Sequence, residues 1–506
     1  MQCAYPSRPH AIELLGKKLV LWRDGGGAWR CHQDACPHRL APLSEGRVEG
    51  GQLECSYHGW RFDGAGRCTR IPQSLDAKAE ATACASGRSC VTAYPLKEYA
   101  GVIWVWGDAS PGAAAEAEAT PLPVPRGLQQ HAEAEGPAEA PAEGSAKGAA
   151  EGPAEVSGYR RELPYSWDVL LENVTDPAHL PHSHHRLSPT LTRDKAGPMP
   201  FIKQQQPSQG GAADDSSGAA VAAEATARPL YAFEHAPPVG SFAFPSALSP
   251  NGVVAYNAPC SVVYEYALPG GACMWTLIYG TPCGPGRSIV MTAGFNNRPP
   301  AMWGDLAKTV LTNWKALRPL LMRLYFQAIP SWKGHMISNK LFDMDNVFLH
   351  QQDILLEQRG RGSWARDYYM PEQCDSLVVA TRKWIDSKAG GGPDYGPAAG
   401  PIKPLSKRDL QDRWAQHTQH CVTCLAAMAA VRRRAQVAKA AATVLFAGLC
   451  AALGTFGVPR ILAGGAPALV AAAAAAGAAV ALWVARRAAA ALDQFTHVEF
   501  THADNH

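Results

Sequence analysis

The stretch CPHRLAPLSEGRVEGGQLECSYHGW, residues 36–60, carries a Cys-x-His pair, Cys36 and His38, separated by sixteen residues from a Cys-x-x-His pair, Cys55 and His58. Two thiolates and two imidazoles form a four-donor metal set, and Pro37 and Gly59 shape the turns that present them. Zinc accepts the same donors. Pairing and order favour iron, in a [2Fe-2S] cluster where two cysteines hold one iron and two histidines replace cysteines on the other.

The residues around this stretch read as short strands with turn signals: KKLVLWRD, GGQLECSYHGWRFDGAGR and VTAYPLKEYAGVIWVWG. Residues 1–108 are therefore expected to form a small all-β domain holding the cluster. Cys31, Cys68, Cys84 and Cys90 lie nearby without ligand spacing and read as small core residues.

The chain has 506 residues, enough for two or three domains. Lys plus Arg (47) against Asp plus Glu (44) leaves a formal charge of +3, and no basic run is interleaved with aromatics. Nucleic acid is not an expected partner. Fourteen cysteines spread over the whole chain argue for reduced thiols rather than a disulfide scaffold. No signal or transit peptide is visible in MQCAYPSRPHAIELLGKKLVLWRDG, which runs almost at once into a strand-like stretch.

From 109 to 156 the sequence turns to Ala, Glu, Gly and Pro, too poor in large apolar groups to offset the entropy of ordering, and reads as a flexible linker. A mixed domain, 157–388, follows. YSWDVLLENVTDPAH opens it as a helix, SVVYEYALPGG and RSIVMTAGFNN alternate like antiparallel strands, and DLAKTVLTNWKALRPLLMRLYFQ has helical spacing. A second poor stretch, about 204–228, reads as a disordered insert. Residues 389–439 begin with the Gly/Pro joint GGGPDYGPAAGP and continue as a charged helix, LSKRDLQDRWAQHTQHCVTCLAAM. Two apolar runs, Ala440 to Val458 and Ile461 to Ala485, are each long enough to cross, or nearly cross, a hydrocarbon core at about 1.5 Å per residue. They predict a transmembrane hairpin over 440–486 and a tail over 487–506. Arg432, Arg433, Arg434 and Lys439 before the first run, and Arg486 and Arg487 after the second, place both ends on the cytosolic-type face.

NVTDPAHLPHSHH, residues 173–185, sets His179, His182, His184 and His185 within seven positions. On an unbroken helix His179 and His182 share a face, whereas His179 and His184 diverge by about 140°. Pro181 kinks or ends such a helix and lets His184 swing back. Candidate carboxylates lie far along the chain in KLFDMDNVFLHQQD, with Asp343, Asp345 and Asp353. Asp353 reads as a solvated charge. Asp176 before Pro177 reads as a helix N-cap.

The pattern Asn173-x-x-Asp176-x-x-His179-x-x-x-x-His184 resembles the mononuclear-iron motif of Rieske non-heme iron oxygenases, in which two His and one carboxylate leave open positions for dioxygen and substrate. The resemblance implies an α+β chain: a Rieske domain, a helix-grip type catalytic domain of antiparallel sheet with helices, and the C-terminal hairpin. It implies His179 and His184 as iron ligands, with His182 the main rival and His185 a lesser one. The D-x-x-apolar-x-x-x-Q pattern, matched from Asp345 to Gln352, implies Asp345 as third ligand over Asp343. Asp176 becomes an electron relay between subunits, which implies a homotrimer, and Asn173 a neighbouring catalytic residue. The cofactors implied are a Rieske [2Fe-2S] cluster and mononuclear Fe(II).

CPHRLAPLSEGRVEGGQLECSYHGWRFDGAGRCTRIPQ and ENVTDPAHLPHSHH look like the pheophorbide a oxygenase branch, with its translocon-associated Rieske protein and protochlorophyllide-related oxygenase. That branch ends in two membrane segments preceded by Cys-x-x-Cys, here Cys421 and Cys424. His417, His420, Cys421 and Cys424 fall on one face of a continuous helix, so a zinc site is conceivable. The resemblance instead implies a redox dithiol open to thioredoxin. GGGAWR and GGGPDY lack the context of a dinucleotide fingerprint. Electrons are expected from reduced ferredoxin, with dioxygen and a tetrapyrrole, pheophorbide a favoured, as substrates at a chloroplast membrane with the soluble domains on the stromal side. Two other readings stand beside this one: a sibling oxygenase hydroxylating another tetrapyrrole (protochlorophyllide, chlorophyllide or a phyllobilin), and a non-catalytic redox-sensing component of an envelope translocon.

Overall fold

The computed structural model describes residues 8–99, 101–124, 157–188, 191–199, 202–203, 240–244, 252–268, 272–296, 321, 324 and 329–502. The insert at 204–228, residues 125–156 of the expected linker, and all but two residues of the helical pattern at 305–327 lie outside them.

Short strands separated by turn residues build the N-terminal part. Strands β1 (His10–Leu14), β2 (Lys17–Arg23), β3 (Trp29–Gln33) and β8 (Ala93–Tyr94) form one sheet, in the order β1-β2-β3-β8. Strands β4 (Arg47–Glu49), β5 (Gln52–Glu54), β6 (Arg61–Phe62) and β7 (Cys68–Arg70) form a second in sequence order, and β9 (Leu96–Tyr99) pairs with β10 (Val102–Val105). Val20, Trp22, Leu43, Leu53 and Phe62 close a core that also takes in Cys36, Cys55 and Cys68.

The segment expected to be flexible from residue 109 begins instead with a helix, Ala113–Ala119. Alanine has the highest intrinsic helix propensity, Ala113 is buried, and Lys97 donates to the Glu118 carbonyl at 2.9 Å near the helix end. Val124, just beyond, is buried in the core that follows.

That core lies on a seven-stranded antiparallel sheet of β11 (Ser157–Leu163), β12 (Ile202–Lys203), β13 (Gly240–Phe244), β14 (Gly252–Asn257), β15 (Ser261–Leu268), β16 (Ala272–Gly284) and β17 (Arg287–Asn296), in the order β11-β17-β16-β15-β14-β13-β12. Alternate residues face opposite ways. Val254, Tyr256, Val262, Tyr264 and Val290 meet Trp167, Leu170, Leu171 and Val174 of helix Trp167–Thr175. Ala255, Val263, Trp275, Leu277 and Tyr279 take the other face with Val124 and Trp104. Both faces of the sheet are thus covered. Each fully buried leucine of the helix contributes about 1.5–3 kcal/mol relative to exposure.

Gly280 lets the helix approach the sheet: a Cβ there would stand 3.1 Å from Leu170 Cδ2 and 3.4 Å from Trp167 Cδ1.

Helix Ser331–Arg359 packs against this assembly with polar residues buried along its length, among them His335, Asn339, Asp343, Asp345, Asn346, His350 and Asp353. Asp343 is matched by two buried guanidinium groups, Arg161 from β11 at 2.6 Å and Arg413 at 2.7 Å. Asp353, expected to be solvated, is fully buried: Arg361 donates to it at 2.6 Å and the Ser166 backbone N–H at 2.7 Å. The ion pair and the backbone donor replace the water it loses.

The expected charged helix before the apolar runs is broken into Lys407–Leu410, Arg413–Gln416 and a 3-10 turn, Thr418–His420. Beyond it stand helices Val422–Phe456 and Ala466–Asp493, both long and apolar enough to cross a membrane, joined through a short helix, Val458–Leu462. The first starts well before its apolar run, and its N-terminal turns, with Met428 and Val431, pack against Phe495, Trp332 and Met336 of the soluble part.

Gly280→Val is expected to cost about 1–3 kcal/mol by overpacking against Leu170 and Trp167, read as a lowered unfolding midpoint. Asp343→Ala strands Arg161 and Arg413 without a counter-ion and is expected to cost about 3–5 kcal/mol in the same measurement.

Candidate metal centres

Cys36 follows β3 and Cys55 follows β5, each at the start of a tight loop. The loops close through Leu40 N–H to the Cys36 carbonyl at 2.8 Å and Gly59 N–H to the Cys55 carbonyl at 2.9 Å. Gly59 takes φ +74°, a left-handed conformation that glycine adopts without strain. Both cysteines are buried, His38 is exposed and His58 half-buried, with the imidazole centroids 4.6 Å apart. Trp60 stacks flat on His38 at 4.7 Å, fixing that ring. Burial pushes the Cys36 thiol upward, and so does the adjacent Cys55 sulfur, against backbone N–H groups of His38 and Arg39 that donate to it. Two bare thiolates side by side are therefore disfavoured, and a cationic centre between them fits the four donors.

The second centre grows from the break between two helices. Helix Trp167–Thr175 ends at Asp176, and a single turn, Leu180–Ser183, follows with His179 at its N-cap and His184 at its C-cap. Asp176 caps the end of the first helix rather than the start of the next, and its Oδ1 accepts the Ala178 N–H at 2.7 Å. With Pro181 in its first turn, the short helix stops after one revolution, and His184 leaves helical geometry at ψ 29°. The two imidazoles come within 5.2 Å of each other.

Asp345 reaches them from helix Ser331–Arg359. Its Oδ2 lies 3.2 Å from His184 Nε2 and 3.9 Å from His179 Nε2, and its Oδ1 accepts from the Ser183 hydroxyl at 2.6 Å. Ligand atoms of His179, His184 and Asp345 all lie within 4.8 Å of one another. Asp345 Oδ2 and both His184 ring nitrogens are buried without an aligned hydrogen bond. Unmade bonds on buried polar atoms are costly, and a divalent cation at this point satisfies Asp345 Oδ2 and His184 Nε2 together. Burial alone would raise the Asp345 carboxyl, but His184, His179 and Ser183 hold it below the usual range. Burial likewise pulls His179 down, while Asp176 and Asp345 more than reverse it. Asp176 Oδ2 stands 3.3 Å from His179 Nδ1, and Asn173 Nδ2 lies 3.4 Å from His179 Nε2.

The rival residues do not join the triad. His182 is exposed at the rim of the same cavity, His185 Nδ1 accepts the Arg193 N–H at 3.1 Å, and Asp343 and Asp353 are committed to their arginines. A cavity of about 660 Å³ opens beside the triad, lined by His179, Asp345, Phe348, Leu349, Tyr368 and Met370 among others. His502, returned from beyond the apolar helices, also lines it and packs on Phe348 with ring centroids 4.3 Å apart. Sequence reasoning missed His502, which no spacing connects to the triad.

Cys421 and Cys424 lie at the root of helix Val422–Phe456, both buried. His417 joins them, but His420 does not: the backbone breaks after Gln416, His417 adopts φ −142°, and His420 turns outward, 3.7 Å from Glu162. The single helical face expected for these four residues is absent. His335, from helix Ser331–Arg359, takes the place foreseen for His420. Cys31 and Cys68 are buried and Cys84 and Cys90 half-buried; Cys68 and Cys84 sit in the N-terminal core with their sulfurs 3.7 Å apart.

Comparison with known proteins agrees with this construction. Residues 2–86 match the model of the Rieske [2Fe-2S] domain and residues 256–363 that of pheophorbide a oxygenase. Over 82% of its length the chain is 30% identical to the chloroplastic pheophorbide a oxygenase of Oryza sativa subsp. japonica, covering 69% of that protein. It is 27% identical to Protein TIC 55 of Arabidopsis thaliana, with 82% and 68% covered, and 28% identical to Flavonoid 8-hydroxylase 2 of Ocimum basilicum, with 82% and 69% covered. A cysteine–histidine quartet on two loops, a two-histidine carboxylate set and these matches together make the chain a Rieske non-heme iron oxygenase of the pheophorbide a oxygenase family, with a Rieske [2Fe-2S] cluster and a mononuclear iron as its cofactors.

Proposed function

We propose that this protein is a ferredoxin-dependent monooxygenase that uses dioxygen to open the macrocycle of pheophorbide a in chlorophyll breakdown. The observation that carries the reading is the buried Asp345 carboxylate facing His179 and His184 at the wall of a cavity. In this assignment Cys36, His38, Cys55 and His58 hold the cluster, and His179, His184 and Asp345 hold the mononuclear iron. Bound there, the two groups supply single electrons and the activation of dioxygen.

The chain's own residues prepare that site. Ser183 occupies Asp345 Oδ1 and leaves Oδ2 for the metal. Asp176, beside His179 Nδ1, favours the tautomer whose Nε2 lone pair points at the metal. Its carboxylate is partly exposed, suited to bridge His179 to a cluster-bound histidine of a neighbouring subunit in a homotrimer. Exposed Leu40 and Tyr57 flank His38 and His58, an apolar rim suited to a protein partner such as ferredoxin or a second subunit. Asn173 lies against the metal-facing nitrogen of His179. Phe348, Leu349, Met370 and Val378 give an otherwise polar cavity one apolar wall, and its volume is within the usual range for small-molecule pockets.

In the same reading the domains divide at 1–108, 157–388 and 389–439, the catalytic part is of helix-grip type, and the two apolar helices form a membrane hairpin. The arginines and Lys439 outside the apolar runs support a reading with the soluble part on the stromal side of a chloroplast membrane, where a hydrophobic pigment would be supplied. The relatives named pheophorbide a oxygenase favour that substrate. A second reading, a sibling oxygenase acting on protochlorophyllide, chlorophyllide or a phyllobilin, is supported by similarity to relatives named for protochlorophyllide and chlorophyllide a, and the likeness to a flavonoid hydroxylase adds that similar chains serve different ring systems. A non-catalytic redox sensor would have no use for the Asp345 site.

With reduced ferredoxin and dioxygen, wild type is expected to yield ring-opened product and to contain about three irons and two sulfides per chain. Asp345→Ala should keep the cluster's absorption, lose about one iron and form no product; product from that variant would refute the assignment. A full iron complement without product from pheophorbide a, but with a hydroxylated sibling tetrapyrrole, selects the second reading. The full chain should resist extraction from membranes by alkaline carbonate, and a chain lacking residues 440–486 that remained equally bound would overturn the hairpin.

A further inference from the structure

We infer that His335, His417, Cys421 and Cys424 form a structural zinc site that pins the root of the apolar hairpin to the catalytic part of the chain. His335 Nδ1 lies 3.4 Å from the sulfurs of both Cys421 and Cys424, and His417 Nε2 lies 3.3 Å from the Cys424 sulfur. All four donor atoms fall within 4.8 Å of one another. A tetrahedral zinc about 2.3 Å from sulfur and about 2.0–2.1 Å from nitrogen places those donors roughly 3.5 Å apart. Three of the donor pairs already stand close to that spacing.

The second nitrogen of each histidine is occupied by a backbone carbonyl of one strand. His335 Nε2 lies 3.1 Å from the Gly158 carbonyl and His417 Nδ1 lies 2.6 Å from the Arg160 carbonyl, both on β11. Donation to these carbonyls leaves a lone pair on each remaining nitrogen, aimed at the sulfurs, as in histidines that bind metals. The Cys424 backbone N–H also donates to the Cys421 sulfur at 3.4 Å. On binding, zinc displaces the two thiol protons, leaving two thiolates and two neutral imidazoles.

A dithiol that exchanges with another protein needs an accessible sulfur. Cys421 is 8% exposed and Cys424 0%, and both are covered by Met428, Trp332 and Phe495. The four ligands come from three separate pieces of chain: helix Ser331–Arg359, the turn after Gln416, and the start of helix Val422–Phe456. One ion therefore ties the hairpin to the helix that also carries Asp345.

The test is elemental analysis and zinc-edge X-ray absorption on full-length protein, purified in detergent under reducing conditions without added metal. About one zinc per chain is expected, in a shell of two sulfurs and two nitrogens. Cys424→Ser and His335→Ala should each bring zinc to near none, while His420→Ala, on the same turn, keeps it. The wild-type spectrum stands even if a ligand variant fails to fold. Three results would overturn the inference: no zinc with Cys421 and Cys424 joined as a disulfide, a shell without sulfur, or zinc that disappears in Asp345→Ala but survives in Cys424→Ser.

Discussion

Three carboxylates buried on one helix, Asp343, Asp345 and Asp353, impose the constraint on which this protein is built. A buried charge must be paired, and each of the three is paired differently. Asp343 sits between Arg161 and Arg413, and Asp353 is bound by Arg361. Asp345 faces imidazoles and a serine hydroxyl, with no guanidinium against it among the described residues. That difference in partners is what sets Asp345 apart from the other two as the candidate metal ligand. Replacing an ion pair such as Arg161–Asp343 by apolar groups often costs little, so such pairs explain how the helix is fixed in rotation and register better than why it is stable. In that register Asp345 faces the histidines.

The same helix links the functional parts. His335 lies near its start and Asp345 ten residues later, about 15 Å along the axis. Between them Asn339 accepts from Tyr159 at 2.8 Å and Asp343 binds Arg161, both on β11. The strand that receives His335 and His417 on its carbonyls thus also contacts the helix bearing Asp345.

How much was legible in the sequence follows from how local each feature is. Cys36, His38, Cys55 and His58 announce themselves because two turns carry all four, and spacing within a turn is a sequence property. His179 and His184 were legible once Pro181 was read as ending the helix, since a single turn brings back a residue that an unbroken helix would carry away. Asp345 over Asp343 rested on pattern, because the distinction lies in Arg161 and Arg413, both distant in sequence. His335 was out of reach: it stands 86 residues from Cys421, and nothing in its neighbourhood marks it. His420 misled because the reading assumed a continuous helix that in fact breaks after Gln416. The alanine-rich start of the linker misled for another reason, as composition alone cannot show that Ala113 and Val124 have a surface to pack on.

The most direct test of the account is a structure of the iron-loaded protein with anomalous scattering measured at the iron edge. It predicts one peak among Cys36, His38, Cys55 and His58 and a second bounded by His179, His184 and Asp345. A protein active in turnover whose second peak lay elsewhere, or whose Asp345 made no contact with it, would contradict the claim that this carboxylate's pairing with imidazoles marks the catalytic metal.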